Sequence, residues 1–441
     1  MSRSFSRTMV AAVVGSLFVG CTPGTSATSD NNPDGSGAGG ASAGGSGGTT
    51  SSAQGGGGSG ASSGQFMSGT GGNQQGCSSG PNDDQDMDGF TQAQGDCNDC
   101  DANSNPGAIE VVGDDGSGGA GGYVAADEDC DGETDEVEPA SCDDGLVLTS
   151  VDALDGAKSI ELCKTATGPG DWGVLSAAYV RADGTSTAPG LQAGIMNNFG
   201  PNNPPREGSN LLVLSSGHAR IPGQAGACGN ASCTGTGVGT PPPGFPQTAP
   251  GCEIQPNIND DIGLEVSLRA PTNATGYSFD FKFHSFEYAE WVCSNFNDQF
   301  MALVDPAPAG ALDGNISFDM NGAPVSVNIA FFDVCDSCAN WAQNCSGSSC
   351  PPVPSPCCPA GGAELAGTGF DSWTGTFDDG NAGGTSWLRT TAPIEGGSEF
   401  SLRLAVWDTG DSALDATAVV DNFRWIASGG VVDLGTDIIP E

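Results

Sequence analysis

Beyond residue 145 the chain alternates apolar and polar residues with a period of two. In Tyr277-Ser-Phe-Asp-Phe-Lys-Phe283 the odd positions are aromatic and the even ones polar, the pattern of a strand with one face toward a core. Phe286 and Tyr288 continue on even positions, so a bulge near His284-Ser285 is expected to return them to the same face. Leu402, Leu404 and Val406 alternate in a second run. In a third, Val419, Phe423 and Trp425 share the parity of Asp421. Gly, Pro, Asn and Asp punctuate these runs, and no 3.6-residue pattern of useful length appears. Residues 145–441 therefore predict a mainly β fold, many short strands packed as a two-sheet β-sandwich.

The N-terminal part follows other rules. Arg3 and Arg7 lie in a short basic stretch, and Thr8–Gly20 is an apolar run of 13 residues. A bilayer span needs about 20 residues, so this run has the length of a signal-peptide core instead. It ends in Leu17-Phe18-Val19-Gly20-Cys21, which resembles a lipobox; Phe18 stands where Leu is usual. The expectation is a lipoprotein signal over residues 1–21, with Cys21 acylated as the mature N-terminus. An ordinary signal peptide cut elsewhere is the alternative. Thr22 rather than Asp follows the cysteine; by resemblance to sorting rules in enteric bacteria, this favours the outer membrane or cell surface. Residues 22–76 are mostly Gly, Ser, Ala and Thr. They bury too little to offset ordering entropy and predict a disordered tether with a reach of roughly 40 Å.

Charge then sharpens the picture. The 441 residues carry 54 acids against 12 bases, a net charge of -42. Nucleic acid is an unsuitable partner, because phosphate binding needs Lys and Arg. The acids are not spread evenly: residues 83–144 hold 20 Asp or Glu and no base. Residues 77–144 also have few apolar residues, so this segment needs metal and disulfides as staples. Calcium takes six to eight oxygen ligands from a loop in which alternate residues point inward. Asp84, Asp86 and Asp88, followed by Gly89, supply that pattern; Gly95 falls at position twelve, and Asp96 is the acid one residue beyond it. The pattern recurs as Asp127, Asp129, Asp131 and Gly132, with Asp135 and Glu136 after it. Between them Asp99, Asp101 and Asn103 stand at positions one, three and five, with Glu110 at twelve. Ser104 in the turn position makes this third run the weaker match. A solvated acidic linker is the competing reading.

The runs DQDMDGF, GDCNDCDANSNPGAIE and DEDCDGETDE resemble the MopE-type metal-binding repeat of bacterial surface proteins, in family order. The insertion Gly113 to Gly122 lengthens a connector that is usually short. The family name is associated with copper, which needs soft or imidazole ligands. This segment has no His, and Met87 is its only Met, so calcium is the expected ion. Roughly 172–426 resembles the choice-of-anchor L domain of bacterial surface proteins. The resemblance rests on MNNFGPNNPPREGSNLLVLSSGHAR, FDFKFHSFEYAEWVCSNFNDQF, GNISFD and AVWDTGDSALDATAVVDNFRW. It implies a module joined to a surface anchor and no assigned activity.

Catalytic motifs are not evident. The chain has neither a Gly-x-Ser-x-Gly elbow nor a His-Glu-x-x-His helix, and its histidines are His218 and His284. Glu287 and Glu290 are a carboxylate pair of the kind glycosidases use, but three residues apart in a strand they face opposite ways without a bulge. Asp408, Asp411, Asp415 and Asp421 flank the last strand pair. They form a second candidate metal or loop site, with ordinary turn chemistry as the alternative. Seventeen cysteines point to an oxidising compartment, and sixteen remain after Cys21. Six of them, Cys335, Cys338, Cys345, Cys350, Cys357 and Cys358, fall within 24 residues. Disulfides suit an exported chain better than zinc there. Trp291, Trp341, Trp373 and Trp387 are candidate platform aromatics. The sequence therefore reads as a membrane-anchored, calcium-binding surface lipoprotein. Its β-sandwich would be non-catalytic and adhesin-like, recognising an extracellular polymer or protein. The alternative is an exported hydrolase acting on polysaccharide.

Overall fold

The computed structural model describes residues 80–112, 125–135, 142–233, 235–343, 345, 351–371, 382–427 and 429–440. The lipobox at Cys21, the tether, the connector Gly113–Gly122, Glu136 and Trp373 lie outside them. The fold is mainly β, with open antiparallel sheets and almost no helix. Among the described residues the one α-helix, α1 (Ala153–Lys158), is six residues long and N-capped by Asp152, whose side chain accepts the Leu154 N–H. No helix among the described residues is long and apolar enough to cross a membrane.

Two sheets make up the β domain. The first runs in the order β1 (Gly173–Val180), β4 (Ile258–Arg269), β11 (Glu399–Thr409), β6 (Gln299–Asp305) and β7 (Val325–Ser326). The second runs β13 (Gly435–Ile438), β10 (Leu388–Pro393), β5 (Gly276–Ser285), β12 (Ala416–Ile426), β3 (Leu211–Ser215) and β2 (Ala193–Met196). The short strands β8 (Phe332–Cys335) and β9 (Gly383–Thr385) extend it from the end of β5. One core lies between the sheets, in a sandwich-like arrangement. The odd face of β5 meets Phe300 and Phe400 in it, with Phe281 5.0 Å from Phe300 and Tyr277 5.1 Å from Phe400 between ring centroids. Leu402, Leu404 and Val406 of β11 line the same core. Each such side chain contributes roughly 1.5–3 kcal/mol on burial.

Three details depart from the alternation pattern. Every residue of β5 is buried, including the polar even face. A second apolar layer covers that face, formed by Phe199, Leu365, Phe370 and Trp387. Lys282 pairs there with Glu364, donates to Asn203 Oδ1 at 2.8 Å and lies 5.3 Å from the Trp387 ring centre. His284 lies 5.2 Å from Phe199 and 5.4 Å from Phe370 between ring centres. Next, no bulge occurs at His284-Ser285: the pairing of β5 with β12 stays in register there. The strand ends instead, so Phe286 joins the second layer while Tyr288 joins the main core. Finally, the irregularity in β12 falls between Asp421 and Arg424, with Asn422 at φ 56°. It reverses parity, so Val419 and Phe423 face opposite sides of the sheet.

The acidic segment is docked on the β domain. The Thr272 N–H donates to Gly107 O, the Ile109 N–H to Asn273 Oδ1, and the Trp172 indole to Ala108 O.

Candidate metal site

The two Asp-x-Asp-x-Asp-Gly runs adopt the same local structure. The Gly89 N–H donates to Asp84 Oδ2 at 3.2 Å, and the Gly132 N–H to Asp127 Oδ2 at 3.1 Å. Asp86 Oδ1 accepts from the Asp88 N–H, and Asp129 Oδ1 from the Asp131 N–H. Asp88 and Asp131 accept from Phe90 and Glu133 in turn. Position four is left-handed in both loops, at Met87 and Cys130, and so is position six, with φ 97° at Gly89 and 96° at Gly132. A Cβ on Gly89 would meet nothing within 4 Å; the glycine answers to backbone angle, not to space. The loops are tied together by the Cys97–Cys130 disulfide and by the Asn105 N–H donating to Glu128 O.

The acids gather in a way that the spacing only partly foretells. Carboxylate oxygens of Asp86, Asp88 and Asp96 lie within 4.8 Å of one another, and so do those of Asp84, Asp86 and Asp99. Glu110, Glu128 and Asp135 form another such group. Asp99 therefore joins the first loop, while Asp101 and Asn103 hydrogen-bond to each other locally. Glu110, position twelve of the third run, closes the last loop: it accepts N–H groups from Glu128, Asp129 and Asp135. Glu128, not singled out by the pattern, accepts the Val111 N–H. Burial pushes Asp88 up to about 6, helped by Asp86, Asp96 and Asp84, against the pull of the Phe90 N–H. Burial likewise raises Asp86, Asp96, Glu128 and Asp129. Asp86 Oδ2, Asp88 Oδ2 and Asp96 Oδ2 are buried with no hydrogen-bond partner. Oxygen-only donors converging in this way fit a hard divalent cation.

The four acids expected near the last strand pair divide into two places. Asp408, near the end of β11, interacts most strongly with Asp415 of the β11–β12 connection, then with Asp260 and Glu287. Asp298 interacts with Glu287, Asp408 and Asp411. Burial, then these neighbours, raises Asp298 and Asp408 well above the usual carboxylate range, and burial first of all puts Glu287 and Asp415 near about 8. Asp421 lies elsewhere, beside Glu161. Asp298 carries no signal in the sequence, because a turn rather than a strand brings it beside Glu287. Glu290 is buried as well.

The cysteine-rich stretch is oxidised. Cys335 pairs with Cys358 and Cys338 with Cys357, so these four cysteines form nested bridges rather than a zinc site. Cys142–Cys163, Cys228–Cys233 and Cys252–Cys293 are also bridged, and Cys100 and Cys345 are disulfide-bonded too. Of the expected platform aromatics, Trp387 is buried in the second layer, Trp341 packs edge-on to Tyr288 and Trp291 edge-on to Phe296. These three are packing residues rather than an open row. No protein-family model, curated protein or solved structure matches the chain.

Proposed function

We propose that this chain is a lipid-anchored surface protein whose acidic segment binds calcium and whose β domain is a non-catalytic binding or structural module. The observation that carries the calcium part is the repeated loop: two runs 43 residues apart in sequence (Asp84 to Asp127) share six-residue geometry and leave buried carboxylate oxygens without donors. Carboxylates this close repel by roughly 1 kcal/mol per pair in water and more where water is excluded. A bound calcium turns that repulsion into attraction, so its binding energy becomes folding energy for the segment. The resemblance to the MopE-type repeat and to the choice-of-anchor L domain supports the same reading. The hydrolase alternative has less behind it, since Glu287 and Glu290 are both buried.

Calcium titration of the full chain tests this reading. Uptake in the extracellular-module range, about 10⁻⁴–10⁻³ M, is expected. The Asp86→Asn, Asp129→Asn double variant should lose that uptake. Chelation should expose the segment around residues 83–112 to protease in the parent chain. Equal uptake by parent and variant, with protease resistance indifferent to chelator, would leave the acids as a solvated linker.

The lipid anchor has its own test. Cys21→Ser should move the protein from membrane fractions to soluble ones. A variant that stays membrane-bound, with its signal peptide still processed, rules out acylation at Cys21 as the anchor.

A further inference from the structure

Acidic side chains from both sheets meet at one end of the β domain. Glu287 follows β5, Asp298 precedes β6, Asp408 lies in β11, and Asp411 and Asp415 lie in the β11–β12 connection. Glu287, Asp298, Asp408 and Asp415 are at most 3% exposed. Backbone N–H groups orient three of them: Asp298 donates to Glu287 Oε2 at 3.2 Å, Thr409 to Asp298 Oδ1 at 2.8 Å, and Cys233 to Asp415 Oδ2 at 2.8 Å. Asp298 Oδ2, Asp415 Oδ1 and both oxygens of Asp408 are buried with no hydrogen-bond partner. The Ser216 hydroxyl donates to Ala416 O at 3.3 Å and also pulls Asp408 down, against the burial that raises it. Among the described residues no Lys or Arg forms an ion pair with any of the four.

A buried carboxylate without a counter-charge costs several kcal/mol, and four together cost more. Either protons or a cation must neutralise them. Shared protons would appear as carboxyl–carboxylate hydrogen bonds, and Asp408 makes none. We infer that Glu287, Asp298 and Asp408, with Asp411 and Asp415 at the rim, hold a divalent cation of the calcium class that clasps the two sheets together. The donors are all oxygen, with no His among them, and Cys233 is engaged in its disulfide; this excludes the ligand sets that soft metals prefer. The number of carboxylates suits calcium, whereas magnesium keeps several waters and takes one or two carboxylates. This site shares no residue with the loops of the acidic segment and would make the β domain itself calcium-dependent.

Calcium is the probe, and the full chain is the sample. Bound calcium is counted after desalting, and thermal unfolding is followed with and without chelator. The Asp86→Asn, Asp129→Asn variant should keep a tightly bound calcium. Its β-domain melting should fall by about 5–10 °C on chelation, the shift expected for a ligand held at roughly a hundred times its Kd. Asp298→Asn with Asp408→Asn should carry one calcium fewer than the parent and lose the chelator effect. In chelator it should melt no lower than the parent, because the amides remove the repulsion. An unchanged calcium count and an unchanged chelator shift in this variant overturn the inference. Should it fail to fold, Asp411→Asn on the exposed connection decides: about tenfold weaker binding is expected, as for one lost ligand worth about 1.4 kcal/mol, and unchanged affinity overturns the site. Calcium lost only from the Asp86 and Asp129 variant would retain the acidic-segment reading and refute this one; the reverse pattern does the opposite.

Discussion

Asp280→Ala is expected to lower the stability of the β domain by about 3 kcal/mol, the lower end for breaking a buried ion pair. Asp280 sits in the middle of β5 and is fully buried. Its carboxylate accepts Nε of Arg389 at 2.6 Å and Nη2 at 2.9 Å, a two-point contact, and the Asn422 amide at 2.7 Å. Arg206 Nε reaches it at 3.4 Å. The alanine variant leaves two guanidinium groups facing one another with no counter-charge. Both are partly exposed, at 22% for Arg206 and 34% for Arg389, so water recovers some of the loss. A melting temperature lower by about 6–12 °C should result for a domain of this size. Asp280→Asn should fall between the two, since it keeps an acceptor for Asn422 but not the charge. Calorimetry with disulfides intact and calcium saturating reads this directly. Equal melting of Asp280→Ala and the parent would mean that the two arginines are held by other contacts.

Asp280 also marks where the sequence stops being readable. The odd residues of β5 announce a core strand by themselves, because an aromatic at every second position has little other use in a soluble fold. The even residues Ser278, Asp280, Lys282 and His284 look like a wet face. They are buried because distant loops carrying Phe199, Leu365 and Phe370 fold over them, and no local pattern reports a loop arriving from 80 positions away. The charges in that layer persist because each has a named partner, Arg389 for Asp280 and Glu364 for Lys282.

The acidic sites divide along the same line. Asp84, Asp86, Asp88 and Gly89 act within one loop, so their spacing carries their geometry. Glu110 closing the loop of Asp127 is not local, and Glu128 is unremarkable until the two meet. Glu287 and Asp298 come from the connection between β5 and β6 and Asp408 from β11, and the three share no motif. Asp421 lies in the middle of β12, away from the end that Asp415 precedes, and faces Glu161 instead; the bulge at Asn422 turns over only the residues that follow it.

That last pair should make the stability of the β domain depend on pH in an identifiable way. Glu161 lies just after α1, and its Oε2 accepts the Asn422 N–H at 2.7 Å. Asp421 accepts the N–H groups of Arg206 and Asn422. Asp143 is the next acid, occupied by the N–H groups of Ser209 and Asn210. The Arg206 side chain is directed to Asp280, and no basic group pairs with Glu161 among the described residues. Burial first, then Asp421 beside it, pushes Glu161 up to about 9, and burial brings Asp421 to about 7. Unfolded, both titrate near the ordinary carboxylate values of about 4. Between these limits the folded chain binds more protons than the unfolded one, so its stability is highest in mild acid and falls as pH rises toward 9. Linkage puts the loss on the order of a few kcal/mol. Glu161→Gln keeps an acceptor for Asn422 and a donor for Asp421 but cannot ionise. With calcium saturating throughout, parent and variant should melt closest together at about pH 4, at the unfolded carboxylate values. By roughly pH 8.5 the variant should melt several degrees higher, at about 2–4 °C per kcal/mol. Parallel melting profiles across that range would show that Glu161 is already ionised and compensated in the folded chain.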